Sequence, residues 1–128
     1  MSSGTPLGQV LGHGSAKSGT GHWWAQRLSA VALLPLGLWF IFALASRGDL
    51  SRAAWLAFIA LPWHAVALAL FLLALLYHSY LGVQVVVEDY VHDRPLKVAT
   101  LIMSGFVHAT AAAAGLFAIL RIAFRAAT

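Results

Sequence analysis

The sequence predicts an all-α membrane protein: three transmembrane helices in a bundle, with a short interfacial helix before the second. Two observations carry that prediction. Of 128 residues, 61% are hydrophobic and only 9% are charged, whereas a soluble domain carries about 25% charged residues. The charges are also segregated. Arg27 and Arg47 enclose 19 uncharged residues, Arg52 and Glu88 enclose 35, and Lys97 and Arg121 enclose 23. Crossing a bilayer takes roughly 20 apolar residues. The net charge of +4 comes from residues near the span ends, which suits lipid headgroups and not a nucleic-acid surface. With no cysteine, disulfides, thiolate clusters and thiol catalysis are excluded.

Residues 1–21 are rich in Gly and Ser and lack a hydrophobic period, which reads as a flexible tail. His13 falls in it and reads as solvated. The tail holds only Lys17, whereas a mitochondrial transit peptide is rich in arginine, so a bacterial inner membrane is the expected location. Trp23 and Trp24 then mark the headgroup level, and span one covers about 28–46. Pro35 and Gly37 interrupt it, which a bundle tolerates. Arg27 reads as a snorkelling anchor or as a cation aimed inward at a bound carboxylate.

The 35-residue run after Arg52 would make a helix of about 52 Å, well beyond a hydrocarbon core of about 30 Å. Pro62 is the natural break. A short surface helix is expected over 53–61, with Trp55 and Trp63 at the interface, and span two over 63–87. His64 then lies near the outer end of span two. Pro95 limits helix continuation in the second turn. Span three covers about 98–120, with Ser104, Gly105 and the small residues from Ala109 to Gly115 allowing close helix approach. The positive-inside rule is silent: Lys17, Arg27, Arg94 and Lys97 on one side balance Arg47, Arg52, Arg121 and Arg125 on the other.

The chemistry concentrates in Leu75 to His92. His78, Gly82, Val85 and Asp89 have offsets of 0, 4, 7 and 11 and share one helical stripe. It presents an imidazole, a gap without a side chain, and a carboxylate roughly 16 Å further along. His78 lies about 15 Å from the Glu88 interface, near the midplane. An ionisable residue at that depth is a functional-site hypothesis by default, and its polar nitrogens need a partner. That partner is another side chain, a proton path or a metal; haem iron takes axial histidine readily, and Gly82 would let a flat ring approach the backbone. His108, at similar depth, or a histidine of another chain would supply a second ligand. Asp89-Tyr90 reads either as a helix end returning to water or as a quinone site, since a phenol donates to a carbonyl oxygen and a carboxylate relays protons.

Taken together, His22-Trp23-Trp24-Ala25-Gln26-Arg27-Leu28-Ser29-Ala30, His78-Ser79-Tyr80-Leu81-Gly82-Val83-Gln84 and Glu88-Asp89-Tyr90-Val91-His92 resemble the small hydrophobic membrane-anchor subunit (cytochrome b556) of succinate dehydrogenase, respiratory complex II. The resemblance covers about residues 21–120. It implies a three-helix anchor bundle with one b-type haem shared with a second anchor, each anchor giving one axial histidine. His78 matches the ligand to the haem iron. Arg27 matches an arginine near the haem propionates, with His22 assisting, and Gly82 borders the ring. Asp89 and Tyr90 match the ubiquinone site. Implied partners are the second anchor with the other haem ligand, the iron–sulfur subunit, the flavoprotein subunit and membrane lipid. The N-terminus and second turn would face the cytoplasm and the C-terminus the periplasm. His108 is then a packing or hydrogen-bonding residue. With no flavin or iron–sulfur motif, the chain would catalyse nothing alone. Two alternatives stand beside this reading: an anchor of a quinol:fumarate reductase, and a small proton-coupled transporter using His64, His78 and His108.

Overall fold

The structure, a computed structural model, describes residues 19–125. The expected tail lies outside the described residues except for its last three positions, which are helical. Four helices follow: α1 (Gly19–Ala45), α2 (Arg52–Ala60), α3 (Pro62–Tyr90) and α4 (Arg94–Arg125). Helices α1, α3 and α4 are long and apolar enough to cross a membrane. Each exceeds the apolar span that announces it, because a helix satisfies its own backbone in lipid and gains nothing by stopping at the headgroups.

Pro35 lies within α1 without ending it, although its missing N–H leaves the Val31 carbonyl without the usual i+4 donor. Near it, α1 closes on α3: a Cβ on Gly37 would stand 3.8 Å from Phe71 Cε2, and Phe40 stacks on Phe71 with ring centroids 5.3 Å apart. Arg47 then pins α2. Its Nη2 donates to the Ala54 carbonyl at 2.9 Å, and its guanidinium lies 4.3 Å from the Phe58 ring centroid. Asp49 and Ser51 shape the entry to α2. Ser51 Oγ accepts from Ala54 N as the N-cap, while the Ser51 backbone N–H and hydroxyl donate to the Asp49 carboxylate at 2.7 and 2.9 Å. Those two donors, the backbone one foremost, hold the Asp49 carboxyl below the ordinary carboxylate range.

The break falls where Pro62 demands it. Leu61 is extended, with φ −72° and ψ 125°, as expected before proline. Pro62 then opens α3 at a position whose N–H has no intrahelical use. The corner is tied at one atom: the Phe58 carbonyl accepts from Leu61 N at 3.3 Å and from His64 Nδ1 at 3.0 Å. The His64 ring also stacks on Phe58 at 3.9 Å. His64 is thus a structural residue of the α2–α3 corner.

The second turn is short. Asp93 caps α4 by accepting from Leu96 N at 2.8 Å, and Lys97 Nζ donates back to the Glu88 carbonyl at 2.9 Å. Pro95 sits in the first turn of α4, where it starts the helix instead of ending one. Helix α3 is central, packed against both α1 and α4, with α2 resting on α3 and α4. Few of the described side chains are buried: Phe58, Ala65, Leu81, Val87 and Ser29. Large apolar groups such as Phe42, 76% exposed, and Phe106, 68% exposed, cover the outside. No soluble surface carries so much contiguous apolar area. The protein is an integral membrane protein, and its outer surface is built for lipid.

Candidate functional site

His78 projects from the middle of α3 toward the first turns of α1. Two α1 residues, Gln26 and Ser29, are three positions apart and therefore share a face; both reach it. Ser29 Oγ lies 3.0 Å from His78 Nδ1, and Gln26 Nε2 lies 3.4 Å from His78 Nε2. Ser29 Oγ also donates to the Gln26 carbonyl, one turn back, at 2.9 Å.

Proton positions follow from counting. A carbonyl has no proton to give, so the single hydroxyl proton of Ser29 goes to Gln26 O. The imidazole then donates from Nδ1 to Ser29 Oγ, which leaves a lone pair on Nε2. The Gln26 amide donates to that lone pair over a long contact. The same amide nitrogen is 3.7 Å from where a Cβ on Gly82 would stand. The imidazole nitrogen and the bare backbone of Gly82 therefore border one spot, filled by the Gln26 carboxamide. Gln26 Oε1 is buried there without a hydrogen-bond partner, so that carboxamide is weakly held.

His22 donates from Nε2 to Gln84 Oε1 at 3.2 Å, and Gln84 Nε2 donates to the Tyr80 hydroxyl at 3.0 Å. This line of polar groups ties the start of α1 to α3 beside His78. Arg27 is exposed, with its guanidinium 4.7 Å from the Trp23 ring centroid. Asp89 and Tyr90 stand exposed at the end of α3, Tyr90 at 77%. The expected stripe is therefore split in use: His78 and Gly82 meet α1, while Val85 and Asp89 are exposed. His108 is engaged within the chain. Its Nδ1 donates to the Ser104 carbonyl at 2.8 Å, and its Nε2 accepts from Ser79 Oγ at 3.2 Å.

The membrane spans, the lone pair on His78 and the glycine near it describe a helical bundle with one imidazole nitrogen covered only by a long amide contact. Residues 1–118 match the family model of the succinate dehydrogenase/fumarate reductase transmembrane subunit. The chain belongs to that family. It is 37% identical over 91 residues, covering 70% of this chain and 71% of the relative, to the succinate dehydrogenase hydrophobic membrane anchor subunit of Rickettsia bellii. With the protein of the same description from Paracoccus denitrificans it shares 36% identity over 110 residues, 86% of this chain and 85% of the relative. A third relative is the succinate dehydrogenase membrane anchor subunit of Reclinomonas americana, 30% identical over 90 residues, 68% of this chain and 75% of that one. Membership of this family sets aside the transporter alternative.

Sequence reasoning missed the partners of His78. The signal was present in part: Gln26 and Ser29 are the polar i, i+3 pair at the entry to span one. Nothing in their spacing says which α3 residue they meet.

Proposed function

We propose that this chain is the hydrophobic anchor subunit of a bacterial inner-membrane succinate dehydrogenase. In this reading it holds a b-type haem jointly with a second anchor and lends Asp89 and Tyr90 to a ubiquinone site. The observation that carries the reading is the state of His78. Its Nδ1 proton goes to Ser29, and its Nε2 lone pair meets the same Gln26 amide that lies against the side-chain-free backbone of Gly82. An axial ligand to iron has to present such a neutral imidazole with one bare nitrogen.

The residues fit the group. The Gln26 carboxamide lies against the His78 nitrogen that would hold the iron, and turning it aside forfeits one 3.4 Å contact while releasing an oxygen that is buried unpaired. Bound there, a b-type haem supplies a one-electron carrier within the membrane. His78 would hold the iron through Nε2, together with a histidine of the second anchor. Gly82 keeps the backbone clear for a flat ring. Arg27 and His22, on successive turns of α1, would meet the propionates, Arg27 as a charge and His22 as a donor.

At the quinone site, the Tyr90 phenol donates to a carbonyl oxygen and Asp89 orients that phenol or hands on protons from nearby water. The exposure of both suits a pocket completed by residues of the second anchor and the iron–sulfur subunit. The α3–α4 turn would then face the cytoplasm and the docked iron–sulfur and flavoprotein subunits. Quinol:fumarate reduction is the same chemistry run backwards, and the quinone potential selects the direction.

Purification of the assembled complex from the native membrane tests the reading. A second anchor, an iron–sulfur subunit and a flavoprotein should co-purify, with a b-haem absorbance spectrum. His78→Ala should remove that spectrum or weaken it strongly. An assembled His78→Ala complex with an unchanged haem spectrum would overturn the assignment.

A further inference from the structure

We infer that Ser29 is a positioning residue for the haem ligand: it sets the tautomer of His78 and raises the electron-donating strength of Nε2. The inference rests on the proposed ligation of iron by His78. Ser29 is buried, 8% exposed, and its hydroxyl oxygen sits between two groups, the Gln26 carbonyl at 2.9 Å and His78 Nδ1 at 3.0 Å. One hydroxyl proton serves two neighbours. If the imidazole carried its proton on Nε2 instead, Nδ1 and the carbonyl would both be acceptors competing for it. The Ser29 hydroxyl would then make only one of its two bonds, and the Gln26 carbonyl would keep just its helical N–H donor. The Nδ1-protonated form therefore makes one more hydrogen bond at Ser29 than the alternative.

The same geometry reaches further than tautomer choice. A hydroxyl that donates to a carbonyl becomes a better acceptor. It pulls harder on the Nδ1 proton, which moves electron density toward Nε2. Outer partners of a metal-bound histidine act in this way, fixing ring orientation and raising ligand basicity. A stronger donor favours ferric over ferrous iron, so Ser29 holds the haem potential down. Because Ser29 is on α1 and His78 on α3, the bond also sets the rotation of the ring relative to the helix pair.

The test uses the full complex carrying Ser29→Ala, Ser29→Thr or Ser29→Val, with His78→Ala as reference. Three quantities are read: haem content per flavin, haem midpoint potential, and the g-values of the ferric low-spin signal. Threonine keeps the hydroxyl and should reproduce the wild-type potential and g-values. Alanine and valine should raise the potential and change the g-values, or lose haem. Alanine and valine variants with wild-type potential and g-values would overturn the inference, as would threonine and valine deviating alike, which marks a purely steric role. Silent Ser29 variants alongside a haem-free His78→Ala complex defeat this inference alone. A His78→Ala complex that keeps its haem defeats the ligation reading on which it stands.

Discussion

His78 and His108 sit on neighbouring helices, and each donates its Nδ1 proton, one to Ser29 and the other to the Ser104 carbonyl. Their second nitrogens differ. His108 Nε2 takes a hydroxyl from Ser79 at 3.2 Å, whereas His78 Nε2 has only the long contact to a half-satisfied amide. A half-buried imidazole with a weakly covered lone pair is open to a metal, and one closed at both nitrogens is not. At the other end of the stripe, Tyr90 is available for a different reason, its exposure at the helix end. On the proposed quinone site, Tyr90→Phe removes one hydrogen bond to a carbonyl oxygen. A loss of about 1–1.5 kcal/mol, roughly tenfold in rate, is expected for succinate-to-quinone electron transfer. Reduction of an artificial acceptor at the flavin should persist, and equal losses in both assays would indicate an assembly defect instead.

Among the elements, α3 sets the organisation. Its start is imposed locally by Leu61 and Pro62, and its ends are tied by His64 and Lys97 to carbonyls of α2 and of its own last turn. Its packing against α4 depends on small residues, as membrane helix pairs do. At Gly115 a Cβ would fall 2.5 Å from Leu72 Cδ2. That methyl is the end of a side chain that can turn, so Gly115→Ala should be tolerated with a small change in stability. Gly115→Val adds bulk that rotation of Leu72 does not absorb. It should destabilise the helix pair by about 1–3 kcal/mol, seen as a lower thermal denaturation temperature of the purified complex. Adding Leu72→Ala should recover part of that loss, because the two sites are in contact and couple.

At the scale of the molecule, three spans place the Arg47–Arg52 turn and the 91–93 turn on opposite membrane faces. The proposed orientation puts the first in the periplasm and the second in the cytoplasm. The absence of native cysteine makes this directly measurable. Gly48→Cys should react with a membrane-impermeant maleimide in intact cells, and Asp93→Cys should react only once the cytoplasmic face is opened. The opposite pattern would invert the topology and move the Asp89–Tyr90 end of α3 away from the proposed docking side of the catalytic subunits.

Much of this architecture was legible in the chain itself. Span number, the short helix and the break at Pro62 rest on quantities that each segment carries alone: summed apolarity over about 20 residues, the spacing of charges, and the missing N–H of proline. The helix ends ran past the apolar runs, since hydropathy marks the hydrocarbon core and not where the backbone stops being helical. The depth of His78 was legible for the same reason, being a count of residues along one helix. Its hydrogen-bond partners on α1 were not. Whether Ser29 or any other residue meets His78 depends on how one helix is rotated and shifted against another. That rotation is settled by side chains far apart in sequence, among them Gly37 against Phe71 and Phe40 against Phe71. The sequence alone therefore determined a three-span membrane protein with a mid-membrane imidazole. Only helix-on-helix packing decided which side chains meet its two nitrogens, because those partners are neighbours in space and not in sequence.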